Sequence, residues 1–226
     1  MAISSGKKAR KAVSVEAFVP EFKEIKPLNY IQSTYLQAIA ENEIIFGIGS
    51  AGTGKTYVAA AFAASELYHR RISKIILTRP NIETGRGLGF LPGTLEEKYA
   101  PYLDPFDSVF IKSLGKGFYD YALSSKAIEP KPLGFMRGAT FDNAIVLVDE
   151  AQNCTKTEFK MLLSRIGKNT KIILSGDDDQ SDIPDSGLLD AVERLEGIEG
   201  IEVVRFIESD IVRSKMCKQV ILAYKK

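Results

Sequence analysis

From Glu43 onward, short apolar runs alternate with longer segments of helical period. The runs fall at 44–48, 74–78, 144–149, 171–175 and 202–206, and they are rich in Ile and Val. They are too short for buried helices, and their near-continuous apolarity fits strands covered on both faces of a parallel sheet. Between them, Thr155 and Glu158 form a capping box, after which Phe159, Leu162, Leu163 and Ile166 share one face. Leu188, Val192 and Leu195 repeat that spacing, and Asp210 is placed to cap a last helix carrying Val212, Met216 and Val220 on one side. Strands alternating with helices predict an α/β doubly wound domain.

The rhythm breaks over about 81–143, where six of the nine prolines lie between Pro80 and Pro132. A second capping box, Thr94 with Glu97, falls there. This stretch is expected to be a partly helical insertion of the kind that carries substrate contacts. Residues 1–26, with Lys7, Lys8, Arg10 and Lys11 clustered without periodicity, read as a basic tail before a domain spanning 27–226.

Composition narrows the function. The chain has 226 residues, 45% hydrophobic and 26% charged, with a net charge of +1, which excludes a binder driven by bulk charge. No apolar run is long enough for a membrane-spanning helix, and Met1 to Lys11 lacks the apolar stretch of a secretory signal. Cys154 and Cys217 stand far apart, so a disulfide scaffold is not expected and a reducing cytoplasm fits. With His69 as the single histidine, a His-based zinc site has almost no material, and His69 is expected at a helix end.

The strongest chemical signal is Gly49-Ser50-Ala51-Gly52-Thr53-Gly54-Lys55-Thr56, which matches G-x-x-x-x-G-K-[ST]. It follows an apolar run and opens an Ala-rich helical segment, the setting that a phosphate loop requires. Its glycines free successive N–H groups to point at phosphate oxygens, and the helix N-terminus adds partial positive charge. Lys55 supplies a point charge to the β- and γ-phosphates, and Thr56 offers a hydroxyl to Mg²⁺.

Two further strand ends supply polar groups. The run at 145–148 ends in Asp149 and Glu150, the first suited to hold the metal through water, the second to polarise an attacking water. The run at 171–175 ends in Gly176-Asp177-Asp178-Asp179-Gln180, where Gln180 can touch the γ-phosphate with donor and acceptor atoms. The three aspartates also admit a two-metal nuclease centre as a competing reading.

Taken together, these motifs resemble the PhoH-like family of P-loop ATPases, akin to the core of superfamily 1 helicases. The matching pieces are 46–56, Leu77-Thr-Arg-Pro80, Leu88-Gly-Phe-Leu-Pro-Gly93, Met136-Arg-Gly138, Asp149-Glu-Ala-Gln-Asn153, Gly176-Asp177 with Gln180, Asp182-Ile-Pro184 and Ser209-Asp-Ile-Val-Arg213. The resemblance spans about 27–224. It implies a RecA-like fold, binding of ATP and Mg²⁺, ATP hydrolysis, association with RNA, and homo-oligomeric rings, often hexamers. Gln32 matches the family's adenine-reading glutamine, and a carboxamide can pair with adenine N6 and N7 together. Arg79 and Arg137 match elements that could face a nucleic-acid strand. Arg213 is the first candidate for an arginine finger offered to a neighbouring protomer, because a single lobe leaves the γ-phosphate open on one side.

Tyr99, Tyr102, Phe106 and Phe110 in the insertion could stack bases, although aromatics at such spacing are more often core. The expected function is thus a Mg²⁺-dependent ATPase acting as a ring-forming, RNA-associated motor or remodeller. A nucleotide-gated scaffold with slow turnover is the alternative, and a small-molecule kinase lacks an evident acceptor site.

Overall fold

A computed structural model describes residues 22–24, 26–80 and 104–224. The strands are β1 (Ile44–Gly49), β2 (Lys74–Thr78), β3 (Ile128–Pro130), β4 (Ala144–Val148), β5 (Thr170–Gly176) and β6 (Ile201–Phe206). They form one sheet in the order β3-β2-β4-β5-β1-β6, and every pairing is parallel. This is the α/β arrangement, a parallel sheet flanked by helices, expected from the apolar runs. One feature of the order fixes the chemistry: β5 lies between β1, which leads into the phosphate loop, and β4, which leads into Asp149 and Glu150.

The described helices, numbered in order, are α1 (Tyr30–Glu41), α2 (Lys55–Tyr68), α3 (Asp104–Leu114), α4 (Lys116–Ser124), α5 (Lys156–Leu163), α6 (Leu188–Leu195) and α7 (Lys215–Tyr224). Side chains alternate across the sheet, so each strand feeds two cores. Ile45, Ile75, Leu147 and Ile173 point to the layer of α1–α4. Ile44, Phe46, Val146, Ile172 and Leu174 point to the layer of α5 and α6, against Phe159, Leu162, Leu188 and Val192. The Thr155 capping box forms in full, the hydroxyl accepting from Glu158 N and the Glu158 carboxylate from Thr155 N. Ile166 lies beyond the end of that helix.

Several expectations change. Within 81–143, the described helices α3 and α4 bury Phe106, Val109, Phe110, Leu114, Tyr119 and Ala122 in the same core as α2 and the sheet. The described part of the segment is therefore a layer of the domain; Thr94, Glu97, Tyr99 and Tyr102 lie outside the described residues. Phe106 and Phe110 are 2% and 0% exposed, which removes them as base-stacking surfaces. The attached domain also begins before residue 27: Phe22 packs on Tyr68 with ring centroids 5.1 Å apart, and Lys23 N donates to Ser113 O.

At the other end, Asp210 does not cap the last helix. It sits in a 3-10 turn and accepts from Ile207 N, while α7 begins at Lys215. Of the residues expected on one side of that helix, Val212 precedes it, and Val212, Met216 and Val220 are all exposed. His69 is found at the C-cap of α2, exposed, as anticipated. No helix among the described residues is long and apolar enough to cross a membrane.

Candidate functional site: a phosphate loop facing two acidic strand ends

The loop between β1 and α2 is shaped by backbone angles that side chains rarely adopt. Gly49, Gly52 and Gly54 take φ of 126°, 82° and 90°. At Gly54, the N-cap of α2, a β-carbon would fall 2.5 Å from Gln32 Nε2. That contact is functional architecture, because Gln32 is fully buried and its Nε2 donates to Thr53 O at 2.9 Å. Its Oε1 accepts from Leu28 N at 2.8 Å. One carboxamide thus ties the start of α1 to the phosphate loop and keeps one N–H and one lone pair. Inside the loop, Thr53 Oγ1 donates to Ser50 O at 3.0 Å.

Lys55 is 8% exposed, and its Nζ donates to Ser50 O at 2.9 Å and to Gly49 O. Burial pushes its pKa down, and the carboxylates of Asp177, Asp149 and Glu150 oppose that shift. Thr56 Oγ1 donates to Asp149 Oδ1 at 2.9 Å. Burial raises the Asp149 pKa, the Thr56 hydroxyl lowers it and the neighbouring Glu150 raises it further. A charge that costs this much to bury, beside a hydroxyl, is the oxygen donor set that a hard cation such as Mg²⁺ takes. Among the described residues no group of three or more His, Cys, Asp or Glu is assembled to hold a metal. The single carboxylate with a hydroxyl fits Mg²⁺ held largely by phosphates and water.

Glu150 departs from regular backbone, with φ of 51° and ψ of 42°. Such a left-handed non-glycine residue costs on the order of 1 kcal/mol and is found where a side chain must be aimed. Its Oε2 accepts from Gln152 Nε2 at 2.6 Å, and its Oε1 lies 3.4 Å from Arg79 Nη2. Arg79, expected to face nucleic acid, is thus brought to the acidic strand end. Gln180 is exposed at the tip of β5, and its backbone O accepts from Gln152 Nε2 at 3.4 Å.

A cleft of about 660 Å³ gathers Gln32, Lys55, Thr56, Arg79, Asp149, Glu150, Gln180 and Arg213 around one space, a size in the range of small-molecule sites. Arg137 is exposed on the segment after the 3-10 turn at Leu133–Met136 and does not line it. Arg213 lies along the loop of its own chain: its Cδ is 3.0 Å from where a β-carbon would sit on Gly52, and Val212 N donates to Gly52 O at 3.1 Å. The helix α3 closes a further side with Pro105, Ser108 and Lys112. These three carry no sequence signal of their own: they become visible only once α3 is seen packed against α2.

A strand-loop-helix unit with Lys55 and Thr56, a Walker-type acid bonded to that threonine and a polar strand tip between them define a P-loop nucleoside-triphosphatase fold. The family model described as PhoH-like protein matches residues 24–225. Protein PhoH of Escherichia coli (strain K12) is 45% identical over 201 residues, covering 87% of this chain and 57% of that protein. A PhoH-like protein of Bacillus subtilis (strain 168) is 44% identical over 207 residues, covering 90% and 65%. The chain belongs to the PhoH-like family, and it spans 57% and 65% of the length of these two relatives. Among solved structures, the Sulfolobus solfataricus SWI2/SNF2 ATPase core in complex with dsDNA matches with a TM-score of 0.43 at 14% identity, covering 70% of this chain and 34% of that one. The Pif1 helicase from Candida albicans matches with a TM-score of 0.40 at 16% identity, covering 81% and 41%.

Proposed function

We propose that this chain binds ATP with Mg²⁺ and hydrolyses the terminal phosphoanhydride, working as a ring-forming, RNA-associated motor or remodeller. The observation that carries this reading is the Thr56–Asp149 bond at 2.9 Å with Glu150 next in sequence. Lys55 and the loop N–H groups hold the phosphates, and Lys55 exchanges its bonds to Gly49 O and Ser50 O for phosphate oxygens. Thr56 and Asp149 hold Mg²⁺, which when bound offsets charge on the β- and γ-phosphates. Glu150 Oε1 or Oε2 takes the proton of the water that attacks the γ-phosphorus, and ADP leaves as the β–γ bridging bond breaks. Gln180 reads the γ-phosphate. Gln32 offers its remaining N–H and lone pair toward the base.

Arg213 has two possible reaches. Its place over Gly52 supports contact with phosphates in cis, whereas a ring would let a neighbour's cation complete the site. Mixing Arg213→Ala with Glu150→Gln protomers decides: recovered turnover assigns Arg213 in trans, and no recovery assigns it in cis.

One observation favours the second reading, a nucleotide-gated scaffold with slow turnover. Glu150 is engaged by Gln152 and by Arg79, two contacts that compete with water for its carboxylate. Phosphate release is measured with and without single-stranded RNA across a range of protein concentration. Stimulation by RNA and a specific rate that rises with concentration support the motor. ATP-driven assembly without stimulation supports the scaffold, and full activity of dilute monomer overturns the ring.

A further inference from the structure

Gln152 is 2% exposed, yet it lies two residues past the acid pair, and its carboxamide is used on three sides. Its Nε2 donates to Glu150 Oε2 at 2.6 Å and to Gln180 O at 3.4 Å. Its Oε1 accepts from Asp177 N at 3.0 Å. Asp177 in turn is 5% exposed, and its Oδ2 accepts from Ala51 N of the phosphate loop at 2.9 Å. The backbone comes unusually close here: a β-carbon on Gly176 would stand 3.2 Å from Gln152 N and 3.3 Å from Gln152 Oε1.

A buried amide with this set of partners is costly to misplace, since every lost bond leaves a polar group without water. The chain of contacts runs from the acid on β4, through Gln152, to the tip of β5, and on through Asp177 to the loop after β1. Strand order makes this possible, because β5 stands between the other two.

We propose that Gln152 is a positioning residue that locks Glu150 and the Gln180 segment into one unit, with Asp177 anchoring that unit to the phosphate loop. The inference rests on the reading of Glu150 as proton acceptor and Gln180 as γ-phosphate reader. Its consequence is that the aim of Glu150 and the recognition of the third phosphate are not independent. A group that only filled space would leave both unchanged when replaced by a side chain of equal shape.

Gln152→Glu separates the two halves of the carboxamide. The replacement is close in shape and still accepts from Asp177 N; when ionised it cannot donate to Glu150 or to Gln180 O and repels Glu150, so the uncharged Gln152→Met must show the same fall in the ATP-to-ADP affinity ratio. Gln152→Met removes both halves and serves as the uncharged control. Three quantities are measured on the full chain with each variant: melting temperature, affinity for ATP and ADP by displacement of a fluorescent nucleotide, and kcat with KM for phosphate release.

In Gln152→Glu we expect kcat to fall about tenfold or more while ADP affinity stays within about twofold, and the ATP-to-ADP affinity ratio to fall about fivefold. A kcat and an affinity ratio both within about twofold of wild type overturn the proposal. So does a loss of ADP affinity and melting temperature in step with kcat, which would mark a purely structural role. If wild type releases no phosphate, hydrolysis at this site is refuted. The affinity ratio still decides the coupling: a retained ratio in either variant overturns it and a ratio lost in both sustains it.

Discussion

Asp149→Asn should reverse the order of stability between variant and wild type, depending on whether nucleotide is present. Asp149 is buried, and its carboxyl is raised from an ordinary value of 3.8, with burial as the leading cause. A raised carboxyl means that the fold prefers the protonated form. The stabilisation this gives is fully present below the unfolded value and is lost as pH rises through the folded one. The ionised carboxylate is therefore the form that the fold disfavours. Removing that charge relieves the cost of burying it, which weakening of the bond from Thr56 offsets in part, by about 1 kcal/mol. A net gain of about 1 kcal/mol raises the melting temperature by about 2–4 °C for a chain of this size.

Saturating ligand acts the other way. At about 100 times its Kd, MgATP stabilises wild type by about 2.7 kcal/mol, or about 5–11 °C. The variant, without its carboxylate, should gain little of that. Differential scanning fluorimetry at pH 7.5, with and without MgATP, gives the four melting temperatures. The gap without ligand should also shrink as the pH is taken down toward 4. The reasoning is refuted if Asp149→Asn melts below wild type without ligand, or if MgATP shifts both proteins equally.

Two further substitutions test other links. Phe110→Ala empties a fully buried position between Phe106 and Tyr119, with centroids 6.2 and 5.7 Å away, and should cost about 3–5 kcal/mol in chemical denaturation. A stable variant with weakened RNA binding would restore the stacking role to this ring. Gly54→Ala forces a side chain onto φ of 90° and against Gln32 Nε2; strain of about 1–2 kcal/mol in the loop should weaken ATP binding about tenfold. Unchanged affinity in isothermal titration would show that the loop can relax without Gln32.

The central strands were readable because they are buried on both faces, and β6, at the edge, still buries Val203, Val204 and Phe206 beside the exposed Glu202 and Arg205. All five expected runs coincide with strands to within a residue at each end. The sixth, β3, is a three-residue edge strand ending in Pro130, too short to leave a pattern. The phosphate loop, Asp149 and Glu150 were legible because their chemistry dictates residue type at fixed spacing. Lys112 was not, since a lysine carries no spacing rule, and Gln152, although inside the Asp149–Asn153 motif, showed no role there because its partners are set by what the fold places beside it. Asp210 and the Val212 face misled for a related reason: the 3.6 period marks an apolar stripe but does not say what covers it. Arg79 shows the converse, a residue noticed for one partner and found 3.4 Å from another.

The central claim is that Glu150 activates water at this loop, and the most direct test compares Glu150→Gln with wild type in one experiment. The change keeps size and can retain contact with Gln152. The lost pairing with Arg79 is half-exposed and worth little, within about 0.5 kcal/mol. Orthophosphate release from bound ATP is followed under single-turnover conditions, with ATP affinity measured in parallel. The expected result is equal ATP affinity and release slowed by about 10²–10⁴-fold. Release at the wild-type rate by Glu150→Gln, or a wild type that neither holds ATP nor frees phosphate, would contradict the assignment.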